Sequence, residues 1–259
     1  MSTSVNAGGR LDRLPISPFH RRIMMLIGIG MFFDGFDIYI AATVLGATLH
    51  SGFSTLPQNA LFVSSTFVGM MIGSSITGFL GDRFGRRFTY QFNLLLFGGA
   101  SILAAFAPNM TVLILLRLLM GIGLGAENVF GYSTLTEFAP ARVRGKWLGF
   151  MAVFVVTGLP VAALAGTVII PAFTWRAMFI LGGIGAMIVW YLRKSLRESP
   201  RWLESVGRTR EAEQLMQSIE AEASGGAPQA QLKILPGCAH VPQLQAPALF
   251  LDAIRDFIA

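Results

Sequence analysis

Thiol chemistry is nearly absent from this chain. A single cysteine, Cys238, excludes an internal disulfide and any zinc cluster built on cysteines. Charge is scarce as well. Asp, Glu, Lys and Arg make up 13% of the 259 residues, against roughly a quarter in soluble domains. That shortage argues against a globule with a solvated charged shell. No G-x-S-x-G elbow occurs in the sequence, so hydrolase chemistry of that type has no nucleophile. The first apolar segment lacks a convincing cleavage site, is too long for a signal-peptide core and carries Asp34 and Asp37, so it reads as a retained helix.

Apolar sequence fills the space that charge leaves, at 53% of residues. A spanning helix needs roughly 20 mainly apolar residues. Six segments meet that need: 23–49, 61–80, 88–106, 112–132, 147–170 and 177–192. They divide the chain into a polar tail (1–22), a bundle (23–193), an amphipathic segment (194–225) and a dissimilar end (226–259). The formal charge of +6 does not point to nucleic acid, because the basic residues sit in alternate connections. Arg10, Arg13, Arg21 and Arg22 precede the first segment. Arg83, Arg86 and Arg87 follow the second, Arg142, Arg144 and Lys146 the fourth, and Arg193, Lys194, Arg197 and Arg201 the sixth. The intervening connections hold little beyond Arg176. Positive charge stays on the cytoplasmic side, where anionic lipid is its partner. The N-terminus is therefore expected in the cytoplasm.

Within the apolar segments, Asp34 and Asp37 lie three apart and share one helical face. An acid at the bilayer centre costs about 2.5–3.5 kcal/mol on insertion scales, so such residues face a wet cavity or a partner. Burial disfavours the charged form of a carboxylate, which suits reversible proton uptake. Structural hydrogen bonding between helices is the competing role. The fourth segment holds Arg117 and Glu127, separated by the small-residue run Gly121-Ile122-Gly123-Leu124-Gly125-Ala126. Those glycines are expected to serve close helix packing. Arg117 is a candidate partner for an acid of the first segment. Glu127 lies near the far end of its segment, where it is either solvated or part of the same charged set.

The connection after the second segment, Gly78-Phe79-Leu80-Gly81-Asp82-Arg83-Phe84-Gly85-Arg86-Arg87, combines glycines that permit a sharp turn with four charges. Asp82 is expected to cap a helix start, where negative charge is favoured. Arg86 and Arg87 either hold a gate or anchor to headgroups. Glu137 and Arg144 are expected to pair with this cluster or simply to set topology.

This connection matches at every specified position the G-x-L-x-D-R-x-G-R-R pattern of the major facilitator superfamily, which it resembles. Glu137-Phe138-Ala139-Pro140-Ala141-Arg142-Val143-Arg144-Gly145 resembles that family's second cytoplasmic motif, and Arg117 with its glycines the helix-four motif. Glu198-Ser199-Pro200-Arg201-Trp202-Leu203 resembles the signature of sugar porters and their relatives. Asp34-Gly35-Phe36-Asp37 is similar to the helix-one motif of aromatic acid/proton symporters and of related nicotinate-like carriers. The resemblance covers roughly residues 20–205.

It implies an all-α membrane protein of six helices, arranged as two inverted three-helix repeats, in the inner membrane. It implies symport of a small, possibly aromatic, organic acid with protons, no enzymatic activity, no cofactor and no metal. Asp34, Asp37, Arg117 and Glu127 would handle substrate and proton. Gly78, Gly81, Asp82, Arg83, Gly85, Arg86 and Arg87 would form the conformational switch, and Glu137, Arg144, Glu198 and Arg201 a cytoplasmic charge network. The family has twelve helices, so six imply a truncated half-carrier whose partner is a second half or a homodimer. A sugar or polyol porter half and a non-transporting membrane fragment are the alternatives.

Beyond the bundle, residues 202–223 read as an amphipathic helix broken at Gly207, with Leu215, Met216 and Ile219 on one face. The last stretch resembles the end of an α/β-hydrolase: a strand at 232–235, then His240, then a helix at 247–259. With no nucleophile elbow, that histidine cannot run a triad.

Overall fold

The computed structural model describes residues 5–223 and residue 251. Ordered along the chain are α1 (Ala7–Arg13), α2 (Pro18–His50), α3 (Leu56–Phe84), α4 (Arg86–Ala104), α5 (Met110–Phe138), α6 (Arg144–Phe173), α7 (Arg176–Leu192), a single 3-10 turn (Arg193–Ser195), α8 (Pro200–Ser205) and α9 (Thr209–Ala223). No strand occurs among the described residues. The expected strand at 232–235 and His240 lie outside them.

Local chemistry sets the helix ends. Pro18 opens α2 at a position whose N–H needs no partner. Thr55 and Gln58 form a reciprocal capping box at the start of α3. The Asn109 side chain accepts from the Val112 N–H at 3.0 Å to begin α5. Between α3 and α4 the chain reverses at one residue, Gly85, with φ at 92°. Only glycine takes that conformation without strain.

The helices run further than the apolar windows. α2 begins five residues before the expected 23, and α5 continues to Phe138 rather than 132. Hydrophobicity reports the lipid-facing stretch, whereas backbone hydrogen bonding carries on through the charged ends. Five of the six long helices are apolar enough by composition to cross a membrane. The exception is α4, whose 19 residues include Arg86, Arg87, Gln91 and Asn93. It nevertheless packs inside the bundle, against α5 and α7.

Packing follows a pseudo-two-fold pattern. The closest pairs are α3 with α5 and α2 with α6, followed by α4 with α5, α4 with α7 and α2 with α7. Exchanging α2–α3–α4 for α5–α6–α7 maps this set onto itself, which is the arrangement of two inverted repeats. Each main crossing is a glycine seam. A Cβ on Gly125 of α5 would overlap the Met70 carbonyl oxygen of α3, and one on Gly35 of α2 the Val155 carbonyl oxygen of α6. α2 and α5 thereby occupy the centre. α3 and α6 lie outside with most of their apolar surface uncovered, at 28% and 17% buried in their most apolar windows against 56% for α2 and α5.

The charged end of the bundle carries α1, α8 and α9. The amphipathic segment breaks at Gly207, where φ is 80°. The buried face of α9 is Ala212, Met216, Ile219 and Ala223, with Leu215 beside it. Within the N-terminal tail, Asn6 and Ala7 donate their backbone N–H groups to Glu204 at 2.8 and 2.9 Å. Arg10 bridges Glu213 and Glu220 on α9 at 2.6 and 2.7 Å. The hydrogen bond from Arg10 holds the Glu213 carboxyl below its ordinary range. A carboxyl depressed in the folded state contributes stability above its unfolded value and loses it as pH falls through the folded one. Acidification through and below the ordinary carboxylate range is therefore expected to loosen α1 from α9, read as faster amide exchange across residues 7–13 while α5 keeps its protection.

Candidate functional site

The site lies where α2 and α5 cross at the centre of the bundle. Arg117 of α5 is 1% exposed and Asp37 of α2 fully buried. The Arg117 Nη1 donates to Asp37 Oδ2 at 2.5 Å and its Nη2 to the Asp37 carbonyl oxygen at 3.1 Å. A third donor, Nε, reaches Thr66 Oγ1 of α3 at 2.9 Å. The Phe62 ring lies under the guanidinium, 5.1 Å from centroid to Cζ. Three helices and an aromatic face thus hold one cation in one orientation. Asp37 Oδ1 has no hydrogen-bond partner.

A second buried ion pair sits nearer the charged end. Glu127 of α5 is 2% exposed, and its Oε1 accepts from Arg193 Nη1. That corrects the reading of Glu127 as a solvated residue. Its segment is longer than the apolar window, so Glu127 lies eleven residues inside the end of α5 at Phe138. Arg193, taken from sequence as a loop charge, is 3% exposed. It donates from Nε to the Leu26 carbonyl at 3.0 Å and from Nη2 to that of Ile27 at 3.1 Å. Gly30 leaves room for it, since a Cβ there would overlap the Arg193 guanidinium. Charge balance was the signal that could have found Arg193. Three acids within the segments faced a single intrasegment cation, Arg117, and Arg193 is the first basic residue after the last span.

Asp34 lies between the two pairs. It is 1% exposed, and its Oδ2 has no hydrogen-bond partner. Glu127, Arg193 and Asp37 are the charges that act on it.

At the charged end, Asp82 does not cap a helix start. It falls in the last turn of α3 with its side chain 74% exposed, paired to Arg86 at 3.2 Å. Glu198 takes the capping place instead. Its carboxylate accepts from the backbone N–H of Arg86 at 3.0 Å and of Arg87 at 3.2 Å, at the start of α4 where the helix dipole favours an anion. Proximity in space, not in sequence, makes this cap. Arg86 also lies 3.5 Å from Glu137, and Trp202 Nε1 donates to the Asp82 carbonyl at 3.1 Å. Arg87 donates to the Lys194 carbonyl at 3.0 Å, whereas Arg83 lies 5.9 Å from the Phe84 centroid. Of the loop glycines, Gly81 is packed against Arg86 and Phe130 while Gly78 faces open space. Arg144 is not paired with this cluster. It meets Asp12 at 2.8 Å, and Arg201 meets the same carboxylate at 3.2 Å, so Asp12 joins the two. Among the described residues, no group of three or more His, Cys, Asp and Glu is placed to hold a metal.

With this geometry in hand, the likenesses to known proteins fall in place. The profile of the family described as sugar (and other) transporter matches residues 23–235. The chain is 44% identical over 217 residues to the inner membrane metabolite transport protein YdjE of Escherichia coli (strain K12), covering 83% of this chain and 48% of that protein. It is 36% identical over 214 residues to the niacin transporter NiaP of Acinetobacter baylyi, covering 83% and 49% respectively. The chain thus spans about half the length of these curated relatives. Among solved structures, the major facilitator proton:xylose symporter XylE bound to 6-bromo-6-deoxy-D-glucose superposes with a TM-score of 0.69 at 22% identity, over 80% of this chain and 54% of that one. At that identity the likeness is one of fold: the six-helix bundle is one half of a major facilitator fold.

Proposed function

Since the chain belongs to the sugar (and other) transporter family, we propose that it forms the N-terminal half of a proton-coupled symporter for a small aromatic carboxylic acid. The relatives named above are transporters, not enzymes. The observation that carries the substrate class is the Asp37–Arg117 pair. A fork-shaped guanidinium recognises a carboxylate by two parallel donors, and here an internal carboxylate occupies it. When Asp37 takes a proton, Arg117 is free for the carboxylate of the solute. The Phe62 ring beside it suits a flat aromatic body. The name of the niacin transporter points to the same class, because niacin is an aromatic carboxylic acid.

The same reading puts the α1, α8 and α9 end in the cytoplasm of a bacterial inner membrane, supported by the arginines gathered there. Asp82, Arg86 and Glu198 then act as the switch that holds the charged ends of α3 and α4 together in one state of the cycle. A midplane site between two halves is how such carriers alternate access, so this chain is proposed to work against a second half or a second copy.

The test is uptake of labelled nicotinate or benzoate into vesicles holding the full chain. A gradient of one pH unit is worth about 1.4 kcal/mol per proton, enough for about tenfold accumulation of a solute carried one-to-one. Accumulation that collapses with the gradient and resists competition by xylose is the expected result. Competition by hexoses or pentoses instead would favour a sugar porter, the reading suggested by the Glu198–Leu203 signature. No uptake of any of these would count against transport by this chain.

A further inference from the structure

We infer that the coupling proton leaves the buried Asp34–Asp37 pair toward the charged end inside this half, passing from Asp34 to Glu127 and on into a cavity beside Arg193. The inference rests on the symport reading above and adds a route separate from the solute's.

Ile27, Gly30, Asp34 and Asp37 recur every three or four residues, so they line one face of α2. Arg193 is anchored on the carbonyls of Leu26 and Ile27 at the low end of that face. A Cβ on Gly30 would lie 3.0 Å from Glu127 Oε1, which fixes the Glu127 carboxylate beside Gly30. Asp34 stands four residues further on, about one helical turn above and roughly 6 Å along the axis. Asp34 Oδ2 and Glu127 Oε2 are both buried and both without a hydrogen bond. Two vacant carboxylate oxygens one turn apart are within reach of a rotamer change or one bridging water. Chains of Asp and Glu in such places serve as proton relays.

The cavity lies beside Arg193, toward the charged end. Its walls include Leu26 of α2, Tyr90 of α4, Glu137 of α5, Leu196 after α7 and Glu222 of α9. Two of these walls touch Arg193 directly. The Leu26 carbonyl accepts from its Nε, and Tyr90 Oη donates to its carbonyl oxygen at 3.4 Å. Glu137 adds a further buried oxygen without a hydrogen bond, Oε2, to the wall. Acids therefore recur from the bundle centre to the charged end, accompanied in the cavity wall by Arg22, Arg86 and Arg197 and, beside Glu127, by the Arg193 guanidinium.

Charge balance assigns that guanidinium its part. Asp34, Asp37 and Glu127 face Arg117 and Arg193, so the set is neutral when it carries one proton. Asp34 is faced by Asp37 on its own helix, by Glu127 from α5 and by Arg193 after α7. α6, on the other side of α2, has no ionisable side chain beyond Arg144 and Lys146 in its first turn. In the transfer, the Asp34 O–H bond breaks as an O–H bond forms on Glu127, leaving Asp34 as carboxylate. Glu127, now neutral, releases Arg193, which clears the way toward the cavity. The proton then passes to water in the cavity, and Arg193 re-pairs with the Glu127 carboxylate. No other bond changes.

The test uses the full chain in liposomes and needs no solute. Dicyclohexylcarbodiimide modifies protonated carboxyls in apolar surroundings, and peptide mass spectrometry locates the adduct. In the wild type, raising the pH on the charged-end side alone from about 5 to about 8 is expected to lower Asp34 modification at least about fivefold. In Glu127→Gln, whose amide oxygen keeps an acceptor for Arg193, the change is expected to stay below about twofold. Leu26→Trp fills the cavity without replacing an acid, and is expected to slow the response about tenfold. Asp34 modification that follows that side's pH equally in all three proteins would overturn the route, as would a wild type insensitive to it. Failure of solute uptake counts instead against the symport reading, so the two results are distinguishable.

Discussion

Arg117→Ala is expected to abolish gradient-driven uptake and to destabilise the bundle by about 3–5 kcal/mol, the usual consequence of stranding one member of a buried ion pair. The variant leaves Asp37 without its partner and Thr66 without its donor, and both are buried. Arg117→Lys keeps the charge but not the fork, and one ammonium cannot reach both Asp37 oxygens and Thr66 at once. It is expected to fold and to bind solute poorly. The double variant Arg117→Gln, Asp37→Asn removes both charges together. It should recover most of the thermal stability and none of the transport. Thermal unfolding in detergent and uptake in vesicles separate these outcomes, and recovery of both together would mean that the pair serves only packing.

Gly125→Val and Gly35→Val should each prevent the native crossing from forming. The first added carbon would overlap the Met70 carbonyl in one case and the Val155 carbonyl in the other, and backbone cannot yield as a side-chain tip can. Overpacking a well-filled core costs roughly 1–3 kcal/mol, and a bundle held by van der Waals contact between close helices has no hydrophobic driving force in lipid to offset it. The expected readout is loss of the monodisperse peak in size-exclusion chromatography for both variants. Gly149→Val is the control, because nothing lies within 4 Å of a Cβ there. Equal behaviour of all three would contradict the seam account.

Much of this was legible in the sequence, and for definable reasons. Apolar windows found the long helices because lipid imposes a minimum length on them. Asp34, Asp37 and Arg117 stood out because charge inside such windows is rare, and the structure pairs Asp37 with Arg117 and buries Asp34 nearby on the same face of α2. Glu198 was assigned from sequence to a motif and a cytoplasmic charge network, not to a helix cap. Its place at the start of α4 depends on a contact 112 residues apart in sequence, with the Arg86 N–H. Arg144 shows the opposite failure. Motif logic joined it to Glu137 and the preceding loop, but the docking of α1 brings Asp12 to it. Arg193 was hidden because charge next to a span ordinarily marks the membrane surface, and what draws it inward is the missing side chain at Gly30. His20 gave no sequence signal at all, yet it is fully buried, 2.8 Å from Ser17 and edge-on to Trp147.

Exchange of Asp37 for solute at the Arg117 fork is tested most directly by comparing two kinds of uptake in Asp37→Asn vesicles. One is driven by an imposed proton gradient, the other is one-for-one exchange of labelled for unlabelled nicotinate, which needs no net proton movement. Gradient-driven accumulation at least about tenfold below the wild type, with exchange preserved, is the predicted result. Gradient-driven accumulation equal to that of the wild type would contradict it.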